Sequence, residues 1–291
     1  MRFQRSFKIL FMLAIAAPGL AAAPPRPFVV VIDPGHGGND QGARVQVGPS
    51  QWLTEKEVTL MVAKDVAFEL SRYGIRVALT RTTDTDVPLM ERTAAANRLK
   101  ANVFLSLHMN SSQEISSAAE GVETYILNNS SDQSSKRLAD LENAVLQDSR
   151  AAQYMKTSAD SGDVALIVKD MMLDANLKES ERLACSVQNR LVSTTSTHST
   201  QYRNRGVKQA LFYVLLGADM PSALVEMGFL NNPRDRQIVT SQVGQKRMSA
   251  AISQAILDFK VRSALGRCKV GEHPLSAHKT VQTASAFRKF Q

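Results

Sequence analysis

A run of β-branched residues that ends at a glycine-flanked histidine places the strongest constraint on the fold of this chain. Residues 29–32 read Val-Val-Val-Ile, and Asp33-Pro34-Gly35-His36-Gly37-Gly38 follows directly. Four consecutive apolar residues predict a strand buried on both faces, and the proline and glycines prevent its continuation. Because sites in open α/β sheets lie beyond the carboxyl ends of the strands, we expect His36 in such a site. A turn that carries an incidental histidine is the alternative.

The same pattern returns at residues 102–110, where an apolar strand ends in His108 and polar residues follow. Between the two strands, Thr54 and Glu57 have capping-box spacing, which predicts a helix that stops near Gly74 and carries Glu55 in its first turn. The helix dipole alone would favour a carboxylate there. Two strand-end histidines and this glutamate nevertheless form a two-His, one-carboxylate set, which on a catalytic zinc ion leaves a position for water. The predicted ligands are His36, Glu55 and His108.

A second glutamate follows the apolar segment Ser222-Ala223-Leu224-Val225. A buried carboxylate is costly unless it is paired or lies at a strand end that faces a metal. Glu226 is therefore a candidate general base. The alternative is a strand-end carboxylate that accepts hydrogen bonds from the backbone amides after it.

Apolar periodicity along the remaining chain predicts alternating strands and helices. This pattern indicates a single α/β domain: a twisted, mixed sheet of about six strands with helices on both faces. The order of the strands does not follow from the sequence. Further strands are expected at 75–79, 121–127, 209–216 and 221–225, and further helices at 91–100, 136–147, 164–173, 180–191 and 242–259.

The N-terminus has the three-part layout of a secretory signal. Arg2, Arg5 and Lys8 precede the apolar run 9–17, and three alanines at 21–23 follow. The alternative, a membrane anchor, is disfavoured because the run is shorter than the roughly 20 residues that span a bilayer. We therefore expect residues 1–23 to be a signal peptide, and the mature chain to be periplasmic or secreted, without a transmembrane anchor.

The net charge of +8 is concentrated at the two ends of the chain. Residues 260–291 carry seven Lys or Arg against Glu272 alone, whereas the central region is nearly neutral. A nucleic-acid partner is therefore not expected. Residues 24–260 are predicted to form the catalytic domain, and 261–291 a disordered basic tail. Cys185 is expected to pack as a small apolar residue, and its pairing with Cys268 is left open.

Five ordered motifs over about residues 28–260 resemble the zinc-dependent N-acetylmuramoyl-L-alanine amidases of the Amidase_3 type. The resemblance implies a peptidoglycan hydrolase that cuts the amide between N-acetylmuramic acid and the first L-alanine of the stem peptide. It also implies that His36, Glu55 and His108 bind zinc and that Glu226 is the base. Arg81, Arg92 and Asn97 match the family pattern and are interpreted as structural links. The motifs are the segment 33–38, Glu55-Lys56, Ser106-Leu107-His108 with Asn110, the segment 205–208, and the segment 224–230 with Asn232.

The chain departs from the family pattern in two places. The loop between His36 and Glu55 is longer by the segment 45–50, and residues 128–178 form an insert. In some family members a helix in this region covers the zinc until an activator protein removes it. The helix at 136–147, with Glu142 on the metal, is a candidate for this role; an ordinary amphipathic surface helix is the alternative.

Two other functions stay open at this point. The chain could be a zinc peptidase or deacetylase that uses the same water chemistry on another bond of the wall. It could also be a catalytically silent wall-binding regulator, although all four candidate residues are present.

Overall fold

The computed structural model describes residues 26–112, 119–128, 132–144, 163–195 and 202–262. Within 163–175 only the backbone is described. The predicted signal peptide, the loop residues around His198, Cys268 and nearly all of the basic tail lie outside these ranges.

A six-stranded mixed sheet forms the centre of the described domain, as predicted. Its strand order is β4-β1-β5-β8-β6-β7. The pairs β1–β4, β1–β5, β5–β8 and β6–β7 are parallel, and β6–β8 is antiparallel. A separate hairpin joins β2 and β3. The strands are β1 Val29–Pro34, β2 Arg44–Gln46, β3 Trp52–Thr54, β4 Arg76–Leu79, β5 Val103–Asn110, β6 Val122–Leu127, β7 Asn204–Ala210 and β8 Ser222–Phe229.

Helices cover both faces of the sheet and create two apolar cores. Side chains of α1, α4 and α6 fill one core, exemplified by Val62, Leu183 and Ile252. The opposite core takes Ala96 from α2 and Leu138 from α3. The helices are α1 Glu55–Arg72, α2 Leu89–Arg98, α3 Gln133–Asn143, α4 Asp163–Thr195, α5 Pro233–Thr240 and α6 Gln242–Lys260.

Two local predictions are wrong. The separate helices at 164–173 and 180–191 are one continuous helix, α4, because the residues between them include no Gly or Pro to break it. The strand predicted at 209–216 lies earlier, in β7. The apolar residues after β7 fill the second core from a short 3-10 turn, Tyr213–Leu215.

The hairpin β2–β3 and helix α5 were not predicted. The sequence did contain a signal for α5, since the Asn232 side chain caps it and Pro233 stands at its first position. The hairpin is short and its turn is polar, so its apolar alternation is too brief to detect.

Cys185 packs against the first apolar core, as expected, and it is also disulfide-bonded. The only other cysteine in the sequence is Cys268. A single cysteine on an apolar helical face gives no sequence signal that distinguishes packing from disulfide pairing, so the sequence alone left its pairing open.

The helices in the described part of the chain include none with the length and hydrophobicity needed to span a membrane.

Candidate active site

His36 lies just beyond β1, in a backbone conformation that buried arginines hold in place. Its φ of 60° is rare for a residue with a side chain. Arg92 donates hydrogen bonds to Pro34 O at 2.9 Å and to His36 O at 3.1 Å, and Arg81 donates to Gly35 O at 2.8 Å. These bonds fix the three carbonyls around the turn. Arg81 and Arg92 therefore act as links in the structure, and Asn97 bonds the backbone of residues 217 and 219.

The imidazole of His36 is oriented by Asp40. His36 Nδ1 lies 2.8 Å from Asp40 Oδ2, which leaves Nε2 facing inward. Burial works against this ion pair, but the bond to His36 holds the pKa of Asp40 below its usual value. Asp40 was not predicted as a site residue, although it stands four residues after the histidine in the same glycine-rich loop.

Glu55 begins α1 and is held at both carboxylate oxygens. Oε1 accepts a hydrogen bond from Met109 N at 2.8 Å, and Oε2 accepts one from Ala43 N at 2.8 Å. The predicted capping interaction is present, since Thr54 N donates to Glu57 Oε2 at 3.0 Å. The cap fixes the first turn of α1, and the backbone amides fix the Glu55 carboxylate against β5.

Four side chains converge on one buried point. Glu55 Oε1 lies 3.0 Å from His36 Nε2 and 3.1 Å from His108 Nδ1. Glu142 Oε2, from α3, lies 3.3 Å from His36 Nε2 and 3.1 Å from His108 Nδ1. One ligand atom from each residue lies within 4.8 Å of all the others. The structure thus brings together His36, Glu55, His108 and Glu142.

The chemistry of this cluster fits a divalent metal ion. His36 Nε2 is buried and makes no hydrogen bond within the described chain, although two carboxylates lie close to it. A metal ion that binds here would displace the proton from Nε2 and take its lone pair. Burial opposes the charged histidine forms, yet the carboxylates raise the pKa of His36 well above its usual value and that of His108 to about 10. The same negative charge attracts a cation.

Glu226 lies on β8, beside His108 in the parallel register and beside Glu123 in the antiparallel one. It is fully buried, and neither carboxylate oxygen has a hydrogen-bond partner in the part of the chain that the structure describes. The alternative in which backbone amides bond it is therefore not seen there. Burial, reinforced by neighbouring carboxylates and opposed by His108, raises the pKa of Glu226 well above its usual value.

A further buried carboxylate, Glu123, was not predicted. It accepts hydrogen bonds from Lys208 Nζ at 2.5 Å, from Arg205 Nε at 2.5 Å and from Tyr125 OH at 2.6 Å. Burial opposes its ionisation, but Lys208 and Arg205 lower its pKa below the usual value. Lys208 is buried and Arg205 is half-buried, and both lie against the Glu123 carboxylate. Glu123 thus stays ionised next to Glu226.

Helix α3 places Glu142 over the site. The predicted range was 136–147; the described helix covers Gln133–Asn143, and residues 145–147 lie outside the description. Asp132 caps the helix by accepting a bond from Ser135 N. At the other end, Asn143 Nδ2 donates to Leu211 O at 2.7 Å, and Tyr213 N donates to Asn143 Oδ1 at 2.8 Å. These bonds fix the last turn, next to Glu142.

The sequence of this chain matches a known protein family. Residues 30–258 match the Amidase_3 family, described as N-acetylmuramoyl-L-alanine amidase. The chain belongs to this family. The amidase is therefore a hydrolase of peptidoglycan, and its predicted fold and activity are both confirmed.

Individual relatives agree with the family assignment. The amidase is 30% identical over 233 residues to the N-acetylmuramoyl-L-alanine amidase AmiA of Escherichia coli, covering 79% of this chain and 75% of AmiA. It superposes on the N-acetylmuramoyl-L-alanine amidase of Clostridium difficile 630 with a TM-score of 0.59 and 28% identity, covering 82% and 99% of the two chains. The CwlD amidase of Clostridioides difficile, solved in complex with the GerS lipoprotein, shares the fold at 19% identity and a TM-score of 0.56, over 81% and 99% of the chains.

Proposed function

We propose that this amidase cleaves the bond between N-acetylmuramic acid and L-alanine with a zinc ion held by His36, Glu55 and His108. The convergence of these three buried side chains on one point is the observation that carries the proposal. Two imidazole nitrogens and a carboxylate oxygen form a donor set that zinc accepts in catalytic sites. Asp40 supports it by fixing which nitrogen of His36 faces the cluster.

Glu226 is the proposed base of the reaction. When bound, zinc would lower the pKa of a water molecule at the site and would polarise the scissile carbonyl. Glu226 accepts the proton from the attacking water and passes it to the amide nitrogen, because an amide is a poor leaving group as an anion. The lack of a hydrogen-bond partner at either oxygen, among the described residues, supports this role since the carboxylate is free to take a proton. The ion-paired Glu123 beside it stays charged and does not compete for that proton.

Glu142 is the proposed inhibitory ligand. Three protein ligands leave a metal open to water, whereas a fourth closes it. Glu142 Oε2 lies 3.3 Å from His36 Nε2 and 3.1 Å from His108 Nδ1, so it would serve as a fourth protein ligand. We therefore interpret the structure as the closed form, in which α3 must leave before substrate enters.

An activator protein is proposed to move α3. The structure solved for CwlD includes the GerS lipoprotein, so a partner protein is compatible with this fold. Here the partner would act on the insert 128–178, which contains α3.

We also propose that residues 1–23 are a signal peptide, that the mature enzyme is periplasmic or secreted, and that 261–291 form a disordered tail. The charge layout at both ends supports these assignments.

The test is digestion of purified peptidoglycan by the zinc-loaded mature protein and by its Glu142→Ala variant. We expect the Glu142→Ala variant to release stem peptides with a free L-alanine amine, identified by mass. Activity should disappear with a chelator and return with zinc. Release of products cut at another bond would contradict the amidase assignment and favour the peptidase or deacetylase function.

Glu226→Gln in the Glu142→Ala background tests the base. The substitution keeps the shape of the side chain and removes its ability to take a proton. We expect about a hundredfold or greater loss of kcat with unchanged zinc content, since proton transfer contributes about 10²–10⁴-fold to catalysis. A variant with bound zinc and near-normal kcat would rule out Glu226 as the base.

A further inference from the structure

The segment 211–213 presents backbone hydrogen-bonding groups next to the proposed active site. It follows β7, the last strand in the order of the described six-stranded sheet. Leu211 is 48% exposed and Phe212 is buried, so the segment lies at the surface with one side chain in the second core. Within the described residues, the partner of both Leu211 O and Tyr213 N is the side-chain amide of Asn143.

An acceptor and a donor two residues apart are the groups that a strand edge offers to another strand. In parallel pairing, they bind the N–H and the C=O of one extended residue that lies opposite. The carboxamide of Asn143 supplies the same two groups, an N–H donor and a C=O acceptor, at 2.7 and 2.8 Å. Asn143 therefore occupies the place that one extended residue of a bound peptide would take.

The position of Asn143 connects this edge to the reaction. It directly follows Glu142, whose carboxylate lies 3.1 Å from His108 Nδ1. Neighbouring Cα atoms are about 3.8 Å apart, and an extended peptide advances about 3.3–3.6 Å per residue. A stem peptide whose first amide lies at the metal cluster thus has its next residues within reach of the segment 211–213.

We propose that Leu211 O and Tyr213 N form a subsite for an extended residue of the stem peptide, which the Asn143 carboxamide fills in the closed form. This inference rests on the proposed function, in which α3 leaves the site. Main-chain pairing at a sheet edge recognises a peptide without depending on its side chains. Helix α3 would then block the enzyme twice, with Glu142 at the metal and Asn143 in the peptide subsite.

Tyr213→Pro removes the donor of this subsite and little else. Tyr213 is the first residue of the 3-10 turn, where proline is tolerated, and the preceding Phe212 has φ −78° and ψ 119°, near the region proline requires. Tyr213→Ala is the matched control, because it removes the side chain and keeps the N–H. Both are made in a Glu142→Ala, Asn143→Ala background, in which neither substitution can act by releasing α3.

The assay compares KM and kcat on an N-acetylmuramoyl tetrapeptide. We expect Tyr213→Pro to raise KM about two- to tenfold over Tyr213→Ala, with kcat changed less, as the loss of one hydrogen bond implies. Equal KM values in the two variants would overturn the proposal.

Calorimetric titration with the free stem tetrapeptide separates this inference from the proposed function. It needs no catalysis, so weaker binding by Tyr213→Pro supports the subsite even if no cleavage occurs. Equal binding overturns it. If the proline variant does not fold, the background protein is titrated instead with peptides in which an ester replaces one peptide bond at a time. The subsite predicts two- to tenfold weaker binding at one position, and uniform binding would refute it.

Discussion

The buried ion pair between Asp33 and Arg92 predicts a large and pH-dependent loss of stability in Arg92→Met. Arg92 is 3% exposed and Asp33 is fully buried, and the two are joined at 2.8 Å. Removing one partner of such a pair costs about 3–5 kcal/mol, because the other charge stays buried. Thr80 and Ser106 still donate to Asp33, at 2.5 and 2.7 Å, but the carbonyls of Pro34 and His36 lose their Arg92 donor. We therefore expect a loss near the upper end, about 5 kcal/mol at pH 7.

The sign of the pH dependence follows from the pKa of Asp33. Burial raises this pKa, but Arg92 and the two hydroxyls bring it below the ordinary value of 3.8. In the wild type, the contribution of the carboxylate to stability is therefore complete above about pH 4 and is lost as the pH falls further. Without Arg92, burial dominates and the pKa rises above its ordinary value. The variant should then lose stability as the pH rises from about 4 to 7.

Urea unfolding at pH 5 and pH 7.5, with metal removed by chelator, measures both effects. Arg98→Met on the same helix is the control, since Arg98 is largely exposed and its 3.4 Å contact with Glu91 is a surface pair. We expect less than about 0.5 kcal/mol there. A loss below about 1 kcal/mol in Arg92→Met, or one that does not grow with pH, would refute the reasoning.

Three further perturbations test the site itself. Gly42→Ala should lower zinc content, measured by mass spectrometry, because a Cβ there would lie 2.5 Å from Glu55 Oε2 at a φ of 62°; Gly48→Ala, whose Cβ meets only ordinary contacts, should not. Asn143→Ala should raise the basal rate of dye release from labelled peptidoglycan several-fold, whereas Leu141→Ala, on an exposed position of the same helix, should leave it unchanged. Adding zinc at 100 times its Kd to the metal-free protein should raise the free energy of unfolding, measured in urea, by about 2.7 kcal/mol. An unchanged free energy of unfolding would contradict a metal site in the folded state.

The convergence of His36, Glu55 and His108 was predictable because these residues lie at or near the ends of structural elements. His36 follows the buried strand β1, His108 lies near the end of β5, and Glu55 is the first residue of a capped helix. Parallel pairing of β1 with β5 then brings the two strand ends together. The contribution of Glu142 came from a resemblance, since nothing in residues 133–143 shows which surface the helix covers.

Other features depend on contacts that local sequence does not encode. The Glu123 carboxylate is stabilised by Arg205 and Lys208, which lie more than 80 positions later in the chain. The residues next to Glu123 in the sequence do not distinguish it from an ordinary glutamate on a strand. Asp40 matters only because the turn at His36 brings its carboxylate to Nδ1. The start of β7 at Asn204 was missed because an edge strand tolerates polar residues.

The docking of α3 is weak enough to be reversible. Its buried residues are Ser135, Leu138 and Ala139, whereas α1 buries seven residues. Burial of one leucine contributes about 1.5–3 kcal/mol, and the two Asn143 bonds about 1 kcal/mol each, so undocking costs on the order of 5 kcal/mol. A partner that binds only the released helix supplies about 4.1 kcal/mol when its concentration is 1,000 times its Kd. A helix attached mainly through its end residues can thus hold the site closed and still be displaced by a protein partner that binds the released helix tightly.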